Sequence, residues 1–99
     1  MHIFIDRTRK PEIAKFDIIC RSFSDCINAF NEHEVTFISI DYEIDDNFVA
    51  LDLLKHLKAN NIYVPFINIH TTNNIARSNI RAMIKKYFPE TIITFITKV

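Results

Sequence analysis

The chain has 99 residues and a formal net charge of zero, with 12 basic and 12 acidic side chains. This length predicts a single domain over residues 1–99, and the balanced charge argues against a nucleic-acid or membrane partner. Glycine is absent, which excludes the glycine-rich loops that bind nucleotides in many enzymes. The chain starts without a cationic stretch and a long apolar run, so we expect a cytoplasmic protein.

Apolar, β-branched runs recur along the chain at the spacing of an α/β protein. They predict five strands, at residues 2–6, 16–20, 35–40, 62–69 and 91–97. Strands that are apolar throughout are typical of a parallel sheet covered on both faces. The sequence therefore predicts a three-layer, doubly wound α/β fold around a mostly parallel five-stranded sheet.

Three helical patterns lie between these strands. The first is expected to begin after Ser22, which can cap it, and the second to have its N-cap within residues 41–47 and to end at residues 60–61. The third is expected to begin at an asparagine, at residue 73 or 74, and to end before Pro89. Only about nine residues join the first two predicted strands, too few for the usual crossover helix.

Polar side chains stand at the carboxyl ends of the predicted strands. Asp6, Asp41, His70 and Lys98 end or follow strands one, three, four and five. Ligands of open α/β sheets bind beyond this edge. We therefore expect these side chains to gather there and to form a ligand-binding site.

Three motifs in order carry a family resemblance. They are Phe4-Ile5-Asp6-Arg7-Thr8-Arg9-Lys10-Pro11, then Ile38-Ser39-Ile40-Asp41-Tyr42-Glu43, then Ile69-His70-Thr71-Thr72-Asn73 followed by Asn79. Over nearly the whole chain these motifs resemble the cyclic-phosphate processing receiver-like domain family. The resemblance implies a CheY-like receiver fold without its first helix, and a site for cyclic phosphate esters of nucleotides or sugars.

The resemblance also implies a set of site residues. The catalytic candidates are Asp6, Asp41 and His70, with Asp6 and Asp41 able to hold one Mg²⁺. His70 would be the general acid or base, its pKa raised by the two carboxylates. The phosphate-binding candidates are Arg9, Thr71, Asn73 and Asn79. The implied reaction is metal-dependent or metal-free opening of a cyclic phosphate.

Departures from the family pattern leave two alternatives open. Three positions differ from the family pattern: Arg7 replaces an acid, Tyr42 a histidine and Ala76 a glycine. The first alternative is therefore a non-catalytic module that binds a phosphorylated ligand or a partner. The other alternative is a signalling receiver that accepts a phosphoryl group on Asp41, with Lys98 in the role of the receiver lysine. A sheet face left bare by a missing helix would favour a homodimer.

Overall fold

The computed structural model describes residues 1–99 as five strands and three helices. The strands are β1 (His2–Ile5), β2 (Ile18–Cys20), β3 (Phe37–Ile40), β4 (Phe66–Ile69) and β5 (Ile92–Thr94), and the helices are α1 (Phe23–Glu32), α2 (Ala50–Ala59) and α3 (Asn74–Tyr87). The strand order is β2-β1-β3-β4-β5, and every neighbouring pair is parallel. The α/β fold with a parallel five-stranded sheet is confirmed. No helix occupies residues 6–17, so the first crossover helix is missing as expected.

The hydrogen-bonded strands are shorter than the apolar runs that predicted them. β4 begins only at Phe66, because Pro65 has no N–H to donate to a neighbouring strand. β5 ends at Thr94, because the backbone of Ile96 bonds to the side chain of Asn68 and so leaves the strand ladder. Both corrections shorten a strand without changing its place in the sheet.

All three helices pack on one face of the sheet. Ile3, Ile38 and Ile67 are register partners on neighbouring strands, and they share one buried cluster with Leu53 of α2 and Ile80 of α3. The crossovers after β2, β3 and β4 run in the same direction across the sheet, and right-handed crossovers therefore place their helices on the same side. The sequence predicted helices on both faces. The second face has none, because the one connection that crosses the sheet in the opposite direction, from β1 to β2, contains no helix.

Irregular chain covers part of the second face. Phe16, from the connection between β1 and β2, packs against Phe4 and Phe37 with ring centroids 5.3 and 6.0 Å away. Elsewhere on this face Phe66 and Ile92, which are register partners, stay exposed. The expected homodimer stays a prediction. None of the helices is long and apolar enough to cross a bilayer.

Side-chain caps start α1 and α3 where the sequence predicted them. The hydroxyl oxygen of Ser22 accepts a hydrogen bond from the backbone N–H of Asp25 at 3.1 Å. The Oδ1 atom of Asn73 accepts one from the N–H of Ala76 at 3.0 Å. At the end of α2, Asn61 has a φ of 55°, and it is the one residue of the chain with a positive φ. Asparagine tolerates this left-handed region better than most residues, so it replaces the absent glycine.

The predicted cap of α2 is wrong, because the acidic segment caps another helix. The N-cap of α2 is Val49, whose N–H donates to the carboxylate of Asp52 at 2.8 Å. Asp45, within the segment expected to cap α2, instead accepts a 2.7 Å hydrogen bond from the N–H of Phe23 at the start of α1. This bond, with two more from Asn47 and Phe48, lowers the pKa of Asp45.

Candidate functional site

The sheet register brings Asp6, Asp41 and His70 together. Ile5, Ile40 and Ile69 are partners at the ends of β1, β3 and β4. The residue after each of them therefore leaves the same sheet edge, on the face opposite the helices, because side chains alternate along a strand. One ligand atom of each of the three side chains lies within 4.8 Å of the others.

Asp6 is buried and fully hydrogen-bonded. Its Oδ1 atom accepts from the backbone N–H groups of Thr8 and Arg9, at 3.0 and 2.9 Å. Its Oδ2 atom accepts from Arg9 Nε and His70 Nε2, both at 2.9 Å. Burial alone would raise the pKa of Asp6, but the N–H groups of Arg9 and Thr8, the hydrogen bond with His70 and the charge of Arg9 lower it. Asp6 is therefore a fixed anion with no free oxygen position.

Arg9 joins the two carboxylates. Its Nε atom bonds to Asp6, and its Nη2 atom forms an ion pair with Asp41 Oδ1 at 3.1 Å. The side chain of Asp41 is 20% exposed, whereas that of Asp6 is 1% exposed. No hydrogen bond to the Oδ2 atom of Asp41 or from the Nη1 atom of Arg9 exists within the chain. One carboxylate oxygen and one guanidinium nitrogen are thus free to bind a ligand.

A second guanidinium holds the loop that carries Arg9. The Nη1 atom of Arg21 donates to the backbone carbonyl of Asp6 at 3.0 Å and also to that of Arg9. The loop is therefore tied from both sides, by its own N–H groups to the Asp6 carboxylate and by its carbonyls to Arg21. This geometry fixes where the guanidinium of Arg9 lies.

His70 lies behind the two acids, buried in the sheet. It is 1% exposed, and its ring stacks on Phe4 with centroids 4.8 Å apart and planes 2° from parallel. Burial lowers the pKa of His70, and this outweighs the opposing effects of Asp6 and Asp41. The expectation that the two carboxylates raise this pKa is wrong, because desolvation of the imidazolium is the larger effect.

A chain of hydrogen bonds fixes the proton of His70. Asn68 Oδ1 accepts from the N–H of Ile96 at 2.8 Å, so its Nδ2 atom must be the donor to the carbonyl of Ile96 and, at 3.0 Å, to Ser39 Oγ. The hydroxyl proton of Ser39 has no other acceptor within the chain, so Ser39 donates to His70 Nδ1 at 2.8 Å. His70 is consequently neutral, with its proton on Nε2 directed at Asp6.

An open cleft of about 580 Å³ lies in front of these groups. Ten residues line it: Arg9, Asp41, Tyr42, Glu43, Thr71, Thr72, Asn73, Ile75, Ala76 and Asn79. All four predicted phosphate-binding residues are among them. Asp41 is the one catalytic candidate that lines this cleft, because Asp6 and His70 lie behind it.

The start of α3 adds unpaired donors to the cleft. The backbone N–H groups of Asn74 and Ile75 have no acceptor within the chain, as is usual in the first turn of a helix. The hydroxyl of Thr71 accepts from the N–H of Asn73 at 3.3 Å and keeps its own proton for a ligand. The helix dipole also favours an anion here.

Three other basic residues lie outside the cleft. Arg7 pairs with Glu43 and Asp46, at 3.4 and 2.7 Å. Arg77 donates to the carbonyl of Thr71 and does not line the cleft. Lys98 pairs with Glu12 at 3.5 Å and lines a separate cavity of about 350 Å³, which Arg9 and His70 also line. Lys98 therefore does not line the cleft that Asp41 lines.

Sequence reasoning missed the residues that support the site. Ser39 and Asn68 stand two positions before Asp41 and His70, on the same strand face. Their signal was available, since a polar side chain two residues before a site residue on a buried strand points the same way. Arg21 had no comparable signal, because its contacts depend on how the loop of residues 6–9 folds.

The two carboxylates and the imidazole of this site, at Asp6, Asp41 and His70, fit a Mg²⁺ ion poorly. Mg²⁺ takes carboxylate oxygens and waters in a near-octahedral shell at about 2.0–2.1 Å. All four acceptor positions of Asp6 are used by other donors, and the guanidinium of Arg9 already joins Asp6 to Asp41. A metal ion shared by Asp6 and Asp41 would have to displace that guanidinium.

Comparison with known proteins gives one match. A family model described as "Cyclic-phosphate processing Receiver domain" matches residues 1–86 of the chain. The matched range contains every predicted catalytic and phosphate-binding residue, and Lys98 lies outside it. No curated protein and no solved structure matches the chain.

Proposed function

Because the chain belongs to the cyclic-phosphate processing receiver domain family, we propose that it binds a small cyclic phosphate ester in the cleft and opens the ring by hydrolysis. One observation carries the proposal. A guanidinium, a partly exposed carboxylate and unpaired backbone N–H groups meet in a single cleft, at Arg9, Asp41 and the first turn of α3.

The phosphoryl group would lie between Arg9 and α3. Arg9 offers its free Nη1 atom, and Asn74 and Ile75 offer their N–H groups. The hydroxyl of Thr71 and the amide of Asn79 add neutral donors. Donors that are held in place before the reaction stabilise the charge that develops on the phosphoryl oxygens without further reorganisation.

Asp41 would activate the attacking water. The water oxygen forms a bond to phosphorus, the ring P–O bond breaks, and the proton of the water passes to Asp41 Oδ2. The released alkoxide takes a proton from solvent, since the cleft is open. The product is an acyclic phosphate monoester. General-base assistance of this kind contributes about 10²–10⁴-fold to the rate.

Asp6 and His70 would act as positioning residues in this reaction. Neither lines the cleft beside Asp41, and both ring nitrogens of His70 are already hydrogen-bonded. Three of the four hydrogen bonds that Asp6 accepts hold Arg9 in place. Two come from the backbone N–H and the Nε atom of Arg9, and the third comes from the N–H of Thr8 in the same loop. A direct catalytic role for His70 stays a prediction, and the proposed step does not use it.

The experiment follows the phosphorus signal of a 2′,3′-cyclic nucleotide by ³¹P NMR in the presence of the protein. We expect the cyclic signal to convert to a monoester signal, and Asp41→Asn to slow the conversion by about 10²-fold or more. The matched control is Asp46→Asn, a nearby exposed carboxylate that pairs with Arg7. Wild-type protein that neither binds nor converts a panel of cyclic nucleotide and sugar phosphates would refute the proposal.

Two other results would identify the alternatives. Saturable binding of the cyclic phosphate without conversion would indicate a non-catalytic binding module. A mass increase of one labile phosphoryl group after incubation with acetyl phosphate and Mg²⁺, lost in Asp41→Asn, would indicate a phosphoacceptor receiver.

A further inference from the structure

Resting on the proposed function, we infer that the guanidinium of Arg9 is the built-in cation of this site and that the site works without a divalent metal. Asp6, Asp41 and His70 have the residue types of a metal site, and their ligand atoms are close enough to share one ion. The position between the two carboxylates, however, is taken by a side chain of the protein itself.

The first support is the saturation of Asp6. A carboxylate has about four acceptor positions, and in Asp6 each of them faces an N–H donor. To bind a metal, Asp6 would have to lose at least one of these bonds inside the protein. A buried donor would then be left without an acceptor, which costs free energy. The displacement of waters from an exposed metal site leaves no such unpaired group.

The second support is that Arg9 cannot leave or lose its charge easily. The guanidinium stays protonated at any pH at which proteins fold. The loop that carries it is held through the N–H groups of Thr8 and Arg9 and through the carbonyls of Asp6 and Arg9. A divalent ion would therefore meet a fixed positive charge on one side and, at Arg21, a second guanidinium close by.

The third support is the charge that remains. Asp6 and Asp41 contribute two negative charges and Arg9 lies between them with one positive charge, while both ring nitrogens of His70 are engaged in hydrogen bonds. One guanidinium thus leaves Asp41 with a free oxygen and an overall charge suited to a general base. A dication in the same place would hold that oxygen as a ligand and reduce its basicity.

The experiment measures Mn²⁺ binding, since Mn²⁺ is a paramagnetic substitute for Mg²⁺, and it needs no substrate. We compare the wild-type chain with Arg9→Gln, which keeps a similar length and removes the charge. The matched control is Arg7→Gln, whose arginine pairs only with exposed Glu43 and Asp46. Binding is read by electron paramagnetic resonance and by the broadening of the NMR signals of Asp41 and His70.

We expect wild type and Arg7→Gln to bind Mn²⁺ only weakly and without selective broadening at Asp41 and His70. Arg9→Gln should bind Mn²⁺ at least ~100-fold more tightly, because removal of one nearby charge is worth several kcal/mol even at an effective dielectric constant of about 20. Tight, saturable Mn²⁺ binding to wild type that broadens both signals, or equal affinity of wild type and Arg9→Gln, would overturn the inference.

Two further measurements keep the result clear. If Arg9→Gln does not fold, the inference is tested by Mn²⁺ broadening in the wild-type chain alone. A metal-dependent site must show this broadening at the NMR signals of Asp41 and His70. If the protein hydrolyses a cyclic phosphate and EDTA abolishes the turnover, the inference fails and the proposed function stands. If Mn²⁺ does not bind and no ester is converted, the proposed function fails and the inference on the resident cation stands.

Discussion

Replacement of Ser39 by alanine tests the hydrogen-bond chain that fixes His70. The side chain of Ser39 lies in the middle of β3, fully buried, between the Nδ1 atom of His70 and the Nδ2 atom of Asn68. Ser39→Ala removes one oxygen and no apolar contact of consequence. The change therefore isolates the hydrogen bonds from the packing of the sheet.

The expected loss of stability follows from the partners left behind. His70 Nδ1 loses its only donor at a residue that is 1% exposed. Asn68 keeps one of its two Nδ2 bonds, to the carbonyl of Ile96. An unsatisfied buried acceptor costs about 1–3 kcal/mol, so Ser39→Ala should lower the free energy of unfolding by about 2 kcal/mol.

Urea unfolding followed by circular dichroism measures this loss at pH 7. The midpoint should fall while the m-value stays constant, because the surface exposed on unfolding hardly changes. The control is Ser78→Ala on the exposed side of α3, where alanine should be neutral or stabilising by about 0.5 kcal/mol. A Ser39→Ala protein within ~0.5 kcal/mol of wild type would refute the reasoning, since that is the scatter expected of unimportant surface changes.

A second readout addresses the histidine itself. The chain of donors requires the neutral form of His70 with its proton on Nε2, and ¹⁵N NMR distinguishes the two ring nitrogens directly. A wild-type spectrum with the proton on Nδ1, or with a doubly protonated ring at pH 7, would contradict the assignment even if the loss of stability is as expected.

Three further predictions concern pH and backbone conformation. Burial lowers the pKa of His70, so at acidic pH the unfolded chain binds a proton that the folded chain does not bind. The free energy of unfolding should therefore fall below about pH 6.5, by at most ~1.4 kcal/mol per pH unit. His70→Gln should lose this slope, and an equal slope in both proteins would contradict the lowered pKa. The N–H of Phe23 lowers the pKa of Asp45, so the stabilisation by Asp45 is present above about pH 4 and is lost as the pH falls through the folded pKa. The difference in thermal midpoint between wild type and Asp45→Asn should therefore shrink at low pH. A difference that stays constant with pH would show that the stabilisation does not depend on the charge of Asp45. Asn61→Val should destabilise by about 1–2 kcal/mol in urea unfolding while Asn61→Gly is neutral or stabilising, because φ is 55° there; equal stability of the two variants would count against a strained backbone.

The parallel strands and the site edge could be predicted because both follow from local patterns. Apolar runs that end in Asp6, Asp41 and His70 predict buried parallel strands, and parallel strands deliver their next residues to one edge. The caps at Ser22 and Asn73 are also local, since each involves a backbone N–H three residues away. Such features need no knowledge of the tertiary structure.

The parts of the site that could not be predicted depend on contacts distant in the chain. Asp45 was expected to cap the helix that follows it, but it bonds to Phe23, 22 residues earlier. The pKa of His70 depends on how completely the sheet and Phe4 bury the ring, and residue spacing carries no measure of burial. The pairing of Arg9 with both acids likewise depends on a loop geometry that Arg21 fixes from outside the motif.

The one-sided arrangement of the helices explains why a polar row can cross this sheet. Ser39, Asn68 and Thr94 are neighbours across β3, β4 and β5 on the face without helices. Under an apolar helix these side chains would have too few partners and would cost stability. Here the segment after β5 supplies them, since both backbone groups of Ile96 bond to Asn68, and Thr94 Oγ1 donates to Asn68 Oδ1 at 2.6 Å. The loss of a helical layer and the fixed proton on His70 are therefore two consequences of the same chain path, because irregular backbone offers hydrogen bonds that the side of a helix cannot.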